Sequence, residues 1–366
     1  MHLSHITPSI FSSLGLESAV DHLGVGQSPM GRELLFLIDG FGFNTFADYA
    51  DVIPTMSRMF NYGLVQTAFP STTATSLATL TTGAMPGAHG MLGYTVQVPR
   101  SGGRILNALK WDERVDPENW QPIETLFQRG SQAGIKVTHV AAKRYENSGF
   151  TRAVFRGADY KGANVVSDLI NETKIALQAT PSFVYLYVND LDSAGHSDGV
   201  GSEKWITALS MIDQMVSQLM KEVPKGTRIW ITSDHGMVNV DEKIVIGQDN
   251  PLLEGVSVVA GEPRARHLYL HDNSVQGRIE AASLWQEYLK EKALVLTREE
   301  AISSNLFGSK VSEDSIDRMG EIIAIARNGL ALLDIERAEK EGAMVGHHGG
   351  DSDIESQVGL LTTTLS

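Results

Sequence analysis

No cysteine occurs among the 366 residues of this chain. Disulfides, thiolate-bound zinc and thiol nucleophiles are thereby excluded. Cations are scarce: 30 Lys and Arg stand against 44 Asp and Glu, giving a formal net charge of −14. A surface of that sign does not attract a nucleic acid polymer or an anionic membrane. A small anion is not excluded, because bound cations reverse the charge locally. Long apolar runs are also missing, and the start, M-H-L-S-H-I-T-P, lacks a basic segment followed by a long apolar one. The expectation is a cytoplasmic protein with no membrane partner, its oligomeric state open. A G-x-S-x-G elbow, the mark of metal-free serine hydrolases, is absent as well.

What is present suffices for a sizeable core, with 42% hydrophobic and 20% charged residues. Four short runs, Leu34–Ile38, Lys136–Ala141, Phe183–Val188 and Arg228–Thr232, are mostly apolar or β-branched and read as buried strands. Between them, Ser202–Lys221 carries Trp205, Leu209, Ile212, Met215, Val216 and Leu219 at helical spacing, and Pro117–Ala133 contains a further helical stretch. This alternation predicts an α/β fold with a mostly parallel central sheet and helices on both faces. Residues 1–366 then form a single catalytic domain. Residues 241–345 differ in texture: strand-like pieces at Val256–Ala260 and His267–Leu270, a helical pattern over Gln276–Lys290, and the charged run Asp334–Glu341, read as a solvated helix. They are expected to form a small inserted subdomain.

Ligands of such sheets bind beyond the C-terminal ends of the strands. Asp39, Asp190, Asp192, Asp234 and His235 all fall just after predicted strands, and His196 and His348 complete D-S-A-G-H and G-H-H-G. Three Asp and three His in these places can hold two divalent cations, three ligands each. Zn²⁺ fits His and carboxylate donors best, and Mn²⁺ or Fe suits them too. Thr73, in P-S-T-T-A-T, precedes the stretch Ala74–Thr82, which reads as a helix of small residues. A helix start there aims free N–H groups at an anion. A threonine hydroxyl is a poor nucleophile until a cation favours its alkoxide. Taken alone, Thr73 reads as a helix cap and Asp39 as a turn former; the joint pattern is what argues for chemistry.

In order along residues 30 to 350 stand D-G-F-G, F-P-S-T-T-A, T-T-G-x-x-P-G-x-H-G, D-S-A-G-H, S-D-H-G-M and G-x-H-G. This series resembles the alkaline phosphatase superfamily, and within it the nucleotide pyrophosphatase/phosphodiesterase branch. The resemblance implies an alkaline-phosphatase-like fold. It implies that Asp39, Thr73, Asp234 and His235 surround one metal and that Asp192, His196 and His348 hold the other. Thr73 would attack phosphorus, forming a covalent phospho-threonine, in a small, nucleotide-like phosphorylated substrate. Asp190 is expected to orient a ligand or the attacking water, and His89 to pack or hydrogen-bond beneath the site. Two departures concern substrate binding: Ser76 and Tyr94 stand where many relatives carry Asn. Lys143, Arg152 and the aromatic residues near them follow a strand end and are expected to hold a base or a second anionic group. A phosphomonoesterase or phosphonate hydrolase of the same superfamily is the alternative, and a non-catalytic metal-binding module is the reading from another class. A sulfatase would need a C/S-x-P-x-R setting, which is absent.

Overall fold

The computed structural model describes residues 1–366. Its central sheet has seven strands: β1 (Arg32–Ile38), β2 (Phe60–Gln66), β3 (Lys136–Ala142), β4 (Asp159–Ala163), β5 (Ser182–Val188), β6 (Arg228–Thr232) and β7 (Gln357–Thr364). Their order across the sheet is β2-β7-β6-β1-β5-β3-β4. β1 lies at the centre, parallel to β5 and β6 on its two sides. β3 and β4 extend the parallel part, and β7 runs antiparallel to both β6 and β2. The mostly parallel α/β fold expected from the alternation of patterns is therefore what the chain forms.

The apolar runs are continuous because both faces of the sheet are covered. In β1, Leu35 and Leu37 join one core with Phe11, Phe127, Phe183 and Trp230. Leu34, Phe36 and Ile38 point the other way, into a second core with Trp205, Leu209, Ile212 and Val216 of the helix Glu203–Glu222. That helix is capped by the Ser202 side chain, which accepts from the Trp205 N–H.

Residues 241–345 build a second, four-stranded antiparallel sheet, ordered Val256–Glu262, Ala265–Leu270, Ile322–Ala326, Ala293–Thr297. The helix Val275–Leu289 covers it, and Trp285 and Leu289 enter a separate small core. The charged run 334–341 is not a solvated helix. Only Ala338–Gly342 is helical, and Asp334 and Glu341 are buried. The reason is pairing: the Arg266 guanidinium donates to Glu341, whose Oε2 also accepts from the Asp334 N–H at 3.0 Å. No helix is long and apolar enough to cross a membrane.

Candidate active site

The site forms at the C-terminal ends of β1, β5 and β6. Asp39 follows β1 directly, and Gly40 turns the chain there with φ +77°. A Cβ at Gly40 would meet the Asp192 backbone at 3.2 Å, so only glycine lets these two acids approach. Gly236 has the same role behind His235, since a Cβ would sit 1.9 Å from the Ile354 carbonyl oxygen. Asp192 and His196 lie one turn apart on the helix Asp190–Asp198 after β5. His348 returns from the far end of the inserted segment.

Two groups result, each with its ligand atoms within 4.8 Å of one another: Asp39, Asp234 and His235, and Asp192, His196 and His348. In the first, His235 Nε2 lies 3.2 Å from Asp39 Oδ1 and 3.5 Å from Asp234 Oδ2. In the second, Asp192 Oδ1 is 3.4 Å from His196 Nε2 and 3.8 Å from His348 Nε2. The His235 and His348 rings stack at 3.6 Å and join the groups.

These donors fit a pair of divalent cations. Asp39 Oδ1, Asp234 Oδ2 and Asp192 Oδ1 are buried with no hydrogen-bond partner, a costly arrangement for three carboxylates unless cations take those oxygens. The other oxygens of Asp234 and Asp39 are engaged: Asp234 Oδ1 accepts from the His235 N–H at 3.1 Å and the Gly40 N–H at 3.3 Å, and Asp39 Oδ2 accepts from Tyr187 Oη–H. His196 Nδ1 donates to the Gly346 carbonyl at 2.8 Å, and His348 Nδ1 to the Ser71 carbonyl at 3.0 Å. Those bonds fix the tautomer and leave each Nε2 lone pair facing Asp192.

The electrostatics agree. Burial and the charge of Asp39 push the Asp192 carboxyl well above its usual range, and the same causes raise Asp234 to about 8. Burial alone would lower His235, but Asp234, Asp39 and Asp192 outweigh it and raise the imidazole to about 10. Burial, with His235 and His196 nearby, holds His348 well below the usual histidine value. The first group thus pulls strongly on positive charge, and the second offers neutral imidazoles.

Thr73 is the first residue of the helix Thr73–Thr82, and its Oγ1 lies 3.2 Å from His235 Nε2. The first N–H groups of that helix have no partner within it.

The other expected residues divide. Tyr94 lines the cleft beside Thr73, Asp192, His196 and His348. Ser76, one turn beyond Thr73 on the same helix, is fully buried and does not line it. Lys143 is exposed and lies outside the site, since the chain turns away after β3. Arg152 lines a separate surface depression. Asp190 is exposed and bonds none of the six ligands, because it opens its helix on the solvent side. His89 is buried under the helix Thr73–Thr82, where its Nε2 meets Thr79 Oγ1 at 2.9 Å and its Nδ1 accepts from the Met91 N–H at 3.1 Å. It touches none of the six either.

The sequence model of the type I phosphodiesterase / nucleotide pyrophosphatase family matches residues 34–351. The chain belongs to that family. Human ectonucleotide pyrophosphatase/phosphodiesterase family member 1 is 27% identical over 241 residues, which are 61% of this chain and 26% of that protein. The venom phosphodiesterase of Macrovipera lebetinus is 23% identical over 59% of this chain and 26% of its own length. The chain spans about a quarter of the length of these curated relatives. Among solved structures, murine ectonucleotide pyrophosphatase/phosphodiesterase 5 superposes with a TM-score of 0.71 at 16% identity, covering 90% of this chain and 87% of that one. An inactive variant of that murine protein, a threonine replaced by alanine, was solved in complex with AMP. Phosphonoacetate hydrolase of Sinorhizobium meliloti superposes at 0.67 and 17% identity over 92% and 90% of the two chains. These structural likenesses are of fold.

In this phosphodiesterase-family chain, sequence reasoning missed two residues at the site. Tyr187, which holds Asp39, sits in the last turn of β5 two residues before Asn189, so its place at a strand end was a usable signal. Glu262 lines the cleft, buried, with Oε2 accepting from the Tyr94 N–H at 3.0 Å, and burial raises it to about 8. Nothing local marks it, because it reaches the site only through the hairpin of the second sheet.

Proposed function

We propose that this chain is a metal-dependent hydrolase of phosphodiester or nucleotide pyrophosphate bonds, working through a covalent phospho-Thr73. The carrying observation is the position of Thr73 Oγ1, 3.2 Å from His235 Nε2, at a helix start. Asp39, Asp234 and His235 would hold one divalent cation and Asp192, His196 and His348 the other, most suitably Zn²⁺. Such cations lower the pKa of a bound hydroxyl and neutralise charge developing on phosphoryl oxygens.

The chain's own residues supply the rest. Thr73 Oγ1 releases its proton to solvent and bonds to phosphorus as the bond to the leaving oxygen breaks, that oxygen departing with the bonding pair. Free N–H groups of the helix start receive a non-bridging oxygen. A water then attacks phosphorus, the Thr73–phosphorus bond breaks, and the threonine is regenerated. On one side of Thr73 lies an apolar cavity of about 110 Å³ with Leu77, Leu109, Tyr145, Phe150, Phe155 and Tyr187 in its wall. Aromatic rings there suit a nucleobase, in keeping with the AMP held by the murine relative. Tyr145 and Phe150, the aromatic residues expected beside Lys143 and Arg152, line this cavity, and the two cations do not.

The test is turnover with Zn²⁺ on three substrates: the p-nitrophenyl ester of thymidine 5′-monophosphate, p-nitrophenyl phosphate and phosphonoacetate. The diester is expected to be fastest; a preference for phosphonoacetate would reassign the chain to phosphonate hydrolysis. Thr73→Ala should lower turnover by more than about a thousandfold while leaving two metals bound. Near-normal turnover in that variant refutes the nucleophile.

A further inference from the structure

A histidine interrupts the apolar strand β3. His139 stands among Val137, Val140 and Ala141, is buried, and neither of its ring nitrogens has a hydrogen-bond partner. Burying an unpaired polar ring costs free energy that an apolar ring in the same place would not. An unpartnered group of this kind fits a site whose partner arrives with a ligand.

Sheet register brings His139 to the cavity beside Thr73. It pairs with Tyr185 of β5, two residues before Tyr187, and the three side chains share one face of the sheet. Tyr187 bonds Asp39, so His139 lies about 7 Å deeper along the strands than that contact. It lines the cavity of about 110 Å³ together with Thr151 and Phe155. The same three residues border a surface depression that contains neither Thr73 nor any of the six ligands. They therefore close the end of the cavity away from Thr73.

The other polar groups in that wall are committed. Thr151 Oγ1 donates to the Tyr145 carbonyl at 2.7 Å, and Ser148 Oγ donates to Thr151 Oγ1 at 3.0 Å. The Asn189 amide accepts from Arg144 at 3.2 Å and donates to Ser193 Oγ at 3.3 Å. The Tyr145 hydroxyl accepts from Arg144 at 2.7 Å. The His139 ring alone has both polar atoms free.

Burial lowers His139 to about 3, so the ring is neutral, with one donor and one acceptor nitrogen. At His196 and His348 a backbone carbonyl decides which nitrogen carries the proton. Nothing decides it at His139, and the proton can take whichever nitrogen a ligand requires. We infer that His139 reads the polar edge of the substrate's base, donating to a keto oxygen or accepting from an amino group, so that both kinds of base are taken and an apolar ring of the same shape is rejected. This rests on the hydrolase reading above and adds to it a residue that sets specificity.

The experiment compares metal-loaded wild type with His139→Phe on four p-nitrophenyl phosphodiesters. Two are esters of thymidine and deoxyadenosine 5′-monophosphate, a keto and an amino base. The third replaces thymine by difluorotoluene, which keeps its shape and loses its hydrogen bonds. The fourth is methyl p-nitrophenyl phosphate, which has no base. Wild type should turn over the two nucleotide esters with kcat/KM within about threefold of each other and the difluorotoluene ester about tenfold more slowly. In the variant both nucleotide esters should fall to the level of the difluorotoluene ester. The methyl ester should stay within about twofold, which also reports that the variant is folded and loaded. A wild type that does not distinguish thymine from difluorotoluene, a variant that still does, or an equal loss on the methyl ester overturns the inference. A wild-type preference of more than about tenfold between the keto and amino bases overturns the tautomer argument on which it stands. Calorimetry with thymidine 5′-monophosphate and its difluorotoluene analogue separates the two readings. A protein that hydrolyses none of the esters but binds thymidine 5′-monophosphate more tightly, and loses that preference in the variant, refutes the hydrolase reading and leaves the role of His139 standing.

Discussion

Asp39 shows how one side chain is divided between two tasks. Its Oδ2 accepts from Tyr187 Oη–H, and its Oδ1 is left unpartnered beside His235. Tyr187 is itself fixed in β5, whose register against β1 sets it beside Leu37, two residues short of Asp39. A carboxylate aimed in this way loses less freedom on binding a cation than one that must be immobilised. Tyr187→Phe removes the hydroxyl and keeps the ring. The variant should bind its tighter metal about 10- to 100-fold more weakly, with little change in fold. Competition with a chelator of known affinity reads this directly, and an unchanged metal affinity would show that Asp39 needs no such support.

At the scale of elements, the hairpin joining Val256–Glu262 to Ala265–Leu270 ties the second sheet to the site. Arg264 forms a two-pronged pair with Glu355, at 3.0 and 2.8 Å, with both side chains fully buried. Glu355 also accepts from the Gly350 N–H at 2.8 Å and from the Ser352 hydroxyl, so it holds the loop that follows His348. Arg264→Leu leaves Glu355 charged, buried and unpaired, which costs about 3–5 kcal/mol. Chemical denaturation should find that loss, together with weaker metal binding at Asp192, His196 and His348. Unchanged stability would mean that Glu355 gains a proton or another partner. None of this was legible locally. Four of the five inner strands of the central sheet were, because continuous apolar runs betray burial on both faces. β2, β4 and β7 were not: β2 and β4 are edge strands, only partly buried, and β7 carries a polar Thr-Thr-Thr end. The short ligand-bearing signatures stood out as local patterns. Glu262 and Arg266 acquire their surroundings from partners 168 and 75 residues away, which no local pattern records.

For the molecule as a whole, buried neutral histidines tie stability to pH. His89, His139 and His267 lie away from the six ligands, and burial lowers them to about 3, 3 and 4. Unfolded, each titrates near the ordinary value of about 6.5. Above that pH both states are neutral and the three contribute no pH dependence. Below it the unfolded chain takes up protons that the folded chain refuses, so stability falls as pH drops from about 6.5 toward the folded values. Each histidine adds a slope of up to about 1.4 kcal/mol per pH unit, and the three together about 4. Against a typical domain stability of about 5–15 kcal/mol, that is enough to unfold the chain in mild acid. His139 isolates the effect, because neither ring nitrogen has a partner and the ring packs against Phe155, Tyr160 and Tyr185. His139→Phe should keep stability at pH 7.5 within about 1 kcal/mol and reduce the acid slope by about one proton. Urea unfolding at intervals from pH 4.5 to 7.5 measures both. If the slope is the same in the variant, the His139 imidazole is not held neutral in the folded protein, and the acid sensitivity must come from other groups.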